Sequence, residues 1–78
     1  MRENNNITIK FSKDEAIVLF EFLSRFNGEE HKNIFQDQAE EKTLLIIEGQ
    51  LEKVLTEPFM PNYQDILLEA RNRLRDKN

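Results

Sequence analysis

The chain has 78 residues, of which 38% are hydrophobic and 33% are charged, with six Phe, one Tyr and no Cys. This length suits a single domain with one small core, and the aromatic content excludes a disordered chain. The absence of Cys excludes disulfides and thiolate metal sites. The N-terminus is polar and the apolar runs are far shorter than the roughly 20 residues of a membrane span, so we expect a soluble cytoplasmic protein that spans no membrane.

Residues 7–11 alternate apolar and polar side chains and include two β-branched isoleucines, which is typical of a short strand. A lone strand leaves its backbone donors and acceptors unpaired, and residues 33–36 are the nearest candidate for a partner strand. The segment is therefore predicted to be a strand, paired within the chain, with a second copy or with another protein, or else an extended arm. Residues 1–6 before it are predicted to be disordered.

Ser12 and Glu15 fit a capping box, which predicts a first helix over residues 13–27, and Gly28 is predicted to end it in the left-handed conformation. This helix is apolar on most of its sides. A helix of that kind is usually buried between others, and the alternative is that part of its surface contacts another molecule.

Asp37 is predicted to cap a second helix over residues 38–57, which Pro58 would end. A stiff connector then leads to a third helix over residues 63–75, with Asn62 as its cap. The predicted fold is mainly α: a small three-helix domain with a short N-terminal strand or extended arm, and one domain over residues 1–78. Its predicted core is Phe20, Leu23, Phe26, Leu51, Val54, Phe59, Ile66 and Leu74.

The net charge of −4 is concentrated in the middle of the chain, where residues 28–62 contain eight acidic and three basic residues. A row of carboxylates on the second helix, with two more in the preceding loop, is either a solvated face or a docking surface for a basic protein. The carboxylates are Glu29, Glu30, Asp37, Glu41, Glu48 and Glu52. Four further residues are candidate anchors of such an interface, or ordinary packing of loops onto the core. They are Phe35, Phe59, Met60 and Tyr63.

Catalysis has almost no support in the sequence. His31 is the single histidine, and neither Ser12 nor Ser24 lies in a nucleophile motif. The second helix has no His to complete a carboxylate–histidine metal site. We expect a protein that is not an enzyme and that has no cofactor and no metal site.

The arginines near the C-terminus, Arg71, Arg73 and Arg75, raise a hypothesis of nucleic-acid binding. They equally suit the negative end of a helix dipole. The Pro-bounded connector differs from the short turn of a helix-turn-helix motif, and the overall charge has the wrong sign. We therefore expect no nucleic-acid partner.

Several segments resemble a small bacterial helical family without a well-defined activity. These segments are residues 14–16, 19–23, 51–53, 57–59 and 62–63, together with Phe26. The size and acidity of the chain also resemble immunity proteins of contact-dependent inhibition and related bacterial toxin systems. Those proteins share no universal signature, so no family residue is assigned to a position here.

The resemblance implies an immunity or antitoxin protein that binds a basic toxin, such as a nuclease, and blocks its active site or the approach of its substrate. Two alternatives remain open at the level of sequence. One is a homo-oligomeric structural or adaptor protein, such as a homodimer, and the other is a small nucleic-acid-binding regulator.

Overall fold

The computed structural model describes residues 5–30 and 33–76. Its elements are the helices α1 (Lys13–Asn27), α2 (Gln38–Val54) and α3 (Tyr63–Arg75), with a 3-10 turn at Glu57–Phe59 between the last two. The prediction of a small, mainly α three-helix fold is confirmed. In the described ranges no helix is both long enough and apolar enough to cross a bilayer.

The segment before α1 is an arm without strand pairing. Residues 5–11 are irregular and exposed, and the side chains of Ile7 and Ile9 are 88% and 70% exposed. Residues 33–34 form a turn and residues 35–36 are irregular, so this segment is not a partner strand. Within the single chain residues 7–11 are therefore an arm, and pairing of this segment with a second copy or with another protein stays a prediction. The disorder predicted for residues 1–6 concerns mainly residues 1–4, which lie outside the described residues, as does His31.

Helix α1 has the predicted bounds and the predicted capping box. The Ser12 hydroxyl accepts a hydrogen bond from the Glu15 N–H at 3.1 Å, and the Glu15 carboxylate accepts one from the Ser12 N–H at 2.8 Å. The left-handed conformation predicted for Gly28 is wrong, because its φ of −82° is right-handed. Its N–H reaches the carbonyls of Arg25 and Phe26, so the helix ends by tightening its last turn.

Helix α2 ends three residues earlier than predicted. The chain leaves the helix at Leu55, whose φ of −96° and ψ of 133° are extended, and this turns the Leu55 side chain into the core. Pro58 has no N–H to continue a helix, and it lies instead in the 3-10 turn. The cap predicted for Asn62 is also wrong, since its side chain makes no capping hydrogen bond to α3.

Helix α1 is the central element and packs against both α2 and α3, as its broad apolar surface predicted. The core residues are Ala16, Ile17, Phe20, Leu23, Leu51, Leu55, Leu67 and Ala70. Two predicted core residues are wrong: Val54 is 72% exposed and Phe59 is 70% exposed. Leu55, the first residue after α2, is buried. Phe59 projects from the 3-10 turn into solvent. Phe26, Ile66 and Leu74 are half-buried.

Polar contacts join α1 to α3 at two points along the helices. The Arg73 guanidinium donates two hydrogen bonds to the Asp14 carboxylate at 2.8 and 2.9 Å. The Tyr63 hydroxyl donates to Glu21 at 3.0 Å. The end of α3 therefore lies beside the start of α1, and the start of α3 lies beside the second half of α1. The two helices run antiparallel.

Candidate functional site

An acidic groove lies where the C-terminal end of α1 meets the N-terminal end of α2. It has a volume of about 460 Å³. Four of the carboxylates singled out in the sequence line it, and no Lys or Arg is among its described lining residues. The lining residues are Asn27, Gly28, Glu29, Glu30, Phe35, Asp37, Gln38 and Glu41.

The local structure explains why these carboxylates converge. After Gly28, the Glu29 N–H donates to the Phe26 carbonyl at 3.2 Å, which holds the chain close to the end of α1. At the other wall, the Asp37 carboxylate caps α2 by accepting the Ala39 N–H at 2.7 Å. Glu41 lies four residues further on and therefore on the same face of α2 as Asp37.

Phe35 anchors the loop between the two walls. Its ring meets the Phe26 ring edge-on at 6.0 Å between centroids, and Phe26 in turn stacks on Phe22 at 5.6 Å. Aromatic pairs in these geometries stabilise by about 0.5–1.5 kcal/mol beyond the area they bury. Phe35 therefore has a packing role within the chain, and its half-buried ring gives the groove an apolar surface among the carboxylates.

Asn27 connects the back of the groove to α2. Its amide nitrogen donates to the Glu48 carboxylate at 2.8 Å and to the Leu44 carbonyl at 3.4 Å. Its amide oxygen is buried and has no hydrogen-bond partner among the described residues. Glu48 is consequently turned towards α1 and half-buried, which separates it from the exposed carboxylates of the row predicted on α2.

The groove has the electrostatic character of an extended anionic surface. In the part of the chain that the structure describes, no three His, Cys, Asp or Glu side chains come close enough together to hold a metal ion. The carboxylates are instead spread along two walls. Such a spread produces a negative potential over several residues, which attracts an extended basic surface more than a single cation.

The structure brings together only half of the ten residues that the sequence singled out. Glu29, Glu30, Phe35, Asp37 and Glu41 share the acidic groove. Glu52 is exposed further along α2 and does not line the groove.

The remaining three candidates, Phe59, Met60 and Tyr63, belong to the region around the 3-10 turn. Glu57 of that turn accepts a hydrogen bond from Lys13 at 2.8 Å, at the opposite end of α1 from the groove. This contact, above all the hydrogen bond from Lys13, lowers the pKa of Glu57 below its ordinary value. Phe59 and Met60 are exposed.

Tyr63 is part of the internal packing. Burial, followed by its hydrogen bond to Glu21, raises the pKa of Tyr63 to about 12. A neutral, donating phenol of this kind joins α3 to α1, so the tyrosine is committed to a contact within the chain.

Sequence reasoning missed Asn27 and Gln38 as groove residues. Asn27 reads only as the last residue of a helix before Gly28, and nothing in the sequence shows that its side chain reaches across to α2. The available signal for the position of the groove was the capping residue Asp37, because a cap determines which side of α2 faces the preceding loop.

No protein-family model matches the chain, and neither does any curated protein or solved structure. The resemblance to bacterial immunity proteins therefore stays a prediction. What the groove can do chemically follows from its own residues, which can accept hydrogen bonds and attract cationic side chains around an aromatic surface.

Proposed function

We propose that this protein is a non-catalytic binding module that holds a basic protein in the acidic groove, and that it acts as an immunity or antitoxin protein. The observation that carries the proposal is the convergence of Glu29, Glu30, Asp37 and Glu41 around Phe35. A basic toxin domain, such as a nuclease, presents the complementary Lys and Arg side chains because it must itself bind an anionic substrate.

The groove suits neutralisation because of how its charges are arranged. Complementary charges accelerate association and disfavour wrong partners, while buried apolar contacts set how slowly the complex dissociates. An inhibitor that covers the cationic surface of a nuclease would block the approach of its substrate. The carboxylates of the groove would take the place of the phosphates.

The first experiment is co-expression of the tagged protein with the product of the adjacent open reading frame. The proposal predicts a stable stoichiometric complex with a basic protein that is toxic when it is expressed alone. A harmless neighbour, with the chain purifying without it, would contradict the immunity role.

A matched pair of variants tests whether the groove is the binding surface. Glu41→Lys reverses a charge in the groove, whereas Glu52→Lys makes the same change on α2 outside it, and both side chains are exposed. We expect Glu41→Lys to weaken binding by at least about tenfold and Glu52→Lys by less than about threefold, since a central reversed charge costs more than one at the rim. Equal losses would indicate that the whole row on α2 binds, and not the groove.

A further inference from the structure

A second concave surface, of about 430 Å³, lies between α1 and α3. Its apolar residues are Val18, Leu19 and Phe22 of α1 and Leu74 of α3. Phe22 is 48% exposed although it lies well inside the central helix of the domain. An apolar surface of this kind on a helix is typical of a protein–protein contact. We call it the outer face of α1.

Two charged side chains of α1 stand at the two ends of this outer face, and Arg71 of α3 also lines it. Glu15 lies at one end and Arg25 at the other, ten residues apart and hence about 15 Å along the helix axis. The Arg25 guanidinium lies 5.9 Å from the centroid of the Phe22 ring, which places the cation at the edge of the apolar patch. Val18 and Phe22 lie between the two charges.

When a second copy of the helix runs in the opposite direction, the sequence of charged and apolar residues in one copy matches that in the other. Glu15 and Arg25 are centred on position 20, and so are Val18 and Phe22. A two-fold axis through this height would place Glu15 opposite the partner copy's Arg25, and Val18 opposite its Phe22. Both charges meet opposite charges, and apolar side chains meet apolar ones.

We propose that the outer face of α1 is a homodimer interface in which the α1 helices of two copies pack antiparallel about a two-fold axis. A second copy is the partner that fits, because the two charges that α1 contributes to the face, Glu15 and Arg25, have opposite signs and a self-complementary order. The interface lies outside the acidic groove, so it does not depend on the proposed function. Each dimer would then present two acidic grooves.

The exposed arm before α1 would also contact the second copy in the proposed dimer. In an antiparallel pair, the residues before α1 of one copy lie beside the C-terminal end of α1 of the other. Ile7, Ile9 and Phe11 are all exposed in the single chain. In the dimer they would lie near the aromatic side chains of Phe22 and Phe26 of the second copy, where further apolar surface can be removed from water.

Sedimentation equilibrium of the full-length protein, from micromolar to about millimolar concentration, tests the proposal first. We expect a reversible dimer. Phe22→Asp places a charge in the interface and should raise the dissociation constant by at least about a hundredfold, since it buries a carboxylate among apolar side chains and removes the aromatic ring. The matched control is Ile46→Asp, because Ile46 is 49% exposed and lies on α2 away from the outer face. It should leave dimerisation within about threefold of wild type.

Charge reversal gives the sharper test of the antiparallel register. Arg25→Glu alone places two Glu pairs across the interface, and Glu15→Lys alone places two cationic pairs there. Each should weaken its own dimer by at least about tenfold. An equimolar mixture of the two variants restores both pairs of opposite charges. The mixed dimer should therefore bind within about threefold of wild type.

Circular dichroism confirms that each variant is folded, which matters most for Glu15→Lys because Glu15 belongs to the capping box of α1. If that variant fails to fold, the comparison of Phe22→Asp with Ile46→Asp decides the question. The proposal is overturned if the wild type stays monomeric at every concentration, or if Phe22→Asp dimerises as well as wild type. It is equally overturned if two folded charge variants fail to pair when mixed.

Discussion

Helix α1 is joined to α3 and to α2 by different kinds of contact. On the side of α3, Leu67 and Ala70 are almost fully buried, at 2% and 0% exposure, and the Arg73–Asp14 ion pair and the Tyr63–Glu21 hydrogen bond join the two helices. On the side of α2, Leu51 is the one buried residue of the helix.

Helix α2 also leaves large apolar side chains in water. Leu45 and Ile46 are about half exposed, and Val54 is more so. Asn27 provides a polar connection from α1 to α2. Helix α1 thus packs against α2 and α3 to a similar extent, and the two contacts differ in the number of polar bonds between the helices and in the apolar side chains that α2 leaves exposed. The acidic groove lies at the N-terminal end of α2, where the side chains of Asp37, Gln38 and Glu41 are exposed and can adjust to a partner.

Truncation of a core side chain should have the largest effect on stability. Leu67→Ala removes a buried side chain and should lower the free energy of unfolding by about 2–4 kcal/mol. Val54→Ala, on the exposed end of α2, should change it by less than about 0.5 kcal/mol. Urea unfolding followed by circular dichroism measures both. Similar losses for the two variants would contradict the core assignment.

The hydrogen bond from Tyr63 should have an intermediate effect that depends on pH. Tyr63→Phe should lower the free energy of unfolding by about 1 kcal/mol at pH 7. The pKa of Tyr63 is raised in the fold to about 12, so the unfolded chain loses this proton first as the pH rises. The stabilisation is complete below the ordinary pKa of about 10 and is lost as the pH rises towards 12.

Thermal unfolding of wild type and Tyr63→Phe at pH 7, 10 and 11 checks this prediction, since both proteins share the other groups that titrate in this range. The difference in stability between them should shrink with rising pH. A difference that stays constant would mean that the phenol does not titrate as the contact with Glu21 requires.

A substitution within α2 should have a smaller effect and should raise the free energy of unfolding. Gly49 lies in the interior of the helix with no positive φ, and a Cβ at this position would meet no atom within 4 Å. Gly49→Ala should therefore raise the free energy of unfolding by about 0.5–1 kcal/mol. If the variant is less stable than wild type, as judged by its melting temperature, α2 has a packing neighbour at this position.

The sequence predicted the parts of the fold that local chemistry determines. The capping box and the apolar periodicity predicted both ends of α1 correctly, and the connector before Tyr63 predicted where α3 begins. The end of α2 was wrong because Leu55 leaves the helix to reach the core, and that preference depends on α1. Val54 lies on a side of α2 that faces solvent, and Phe59 projects from the 3-10 turn, which the sequence analysis did not predict.

The candidate site was predictable in its residues but not in its grouping. Charge density singled out Glu29, Glu30, Asp37 and Glu41, yet it equally singled out Glu48 and Glu52. Only the path of the loop, anchored by Phe35, brings the first four together. The side chain of Asn27 draws Glu48 inward, and a contact between residues so far apart in the chain leaves no mark in local sequence patterns.

The most direct test of the central claim is a map of amide chemical-shift changes in the isotope-labelled protein when the basic partner isolated by co-expression is added. Binding in the acidic groove predicts that the largest changes cluster at residues 27–30 and 35–41. Changes concentrated around Phe59 and Met60, or along α2 near Glu52, with residues 27–30 unaffected, would contradict it.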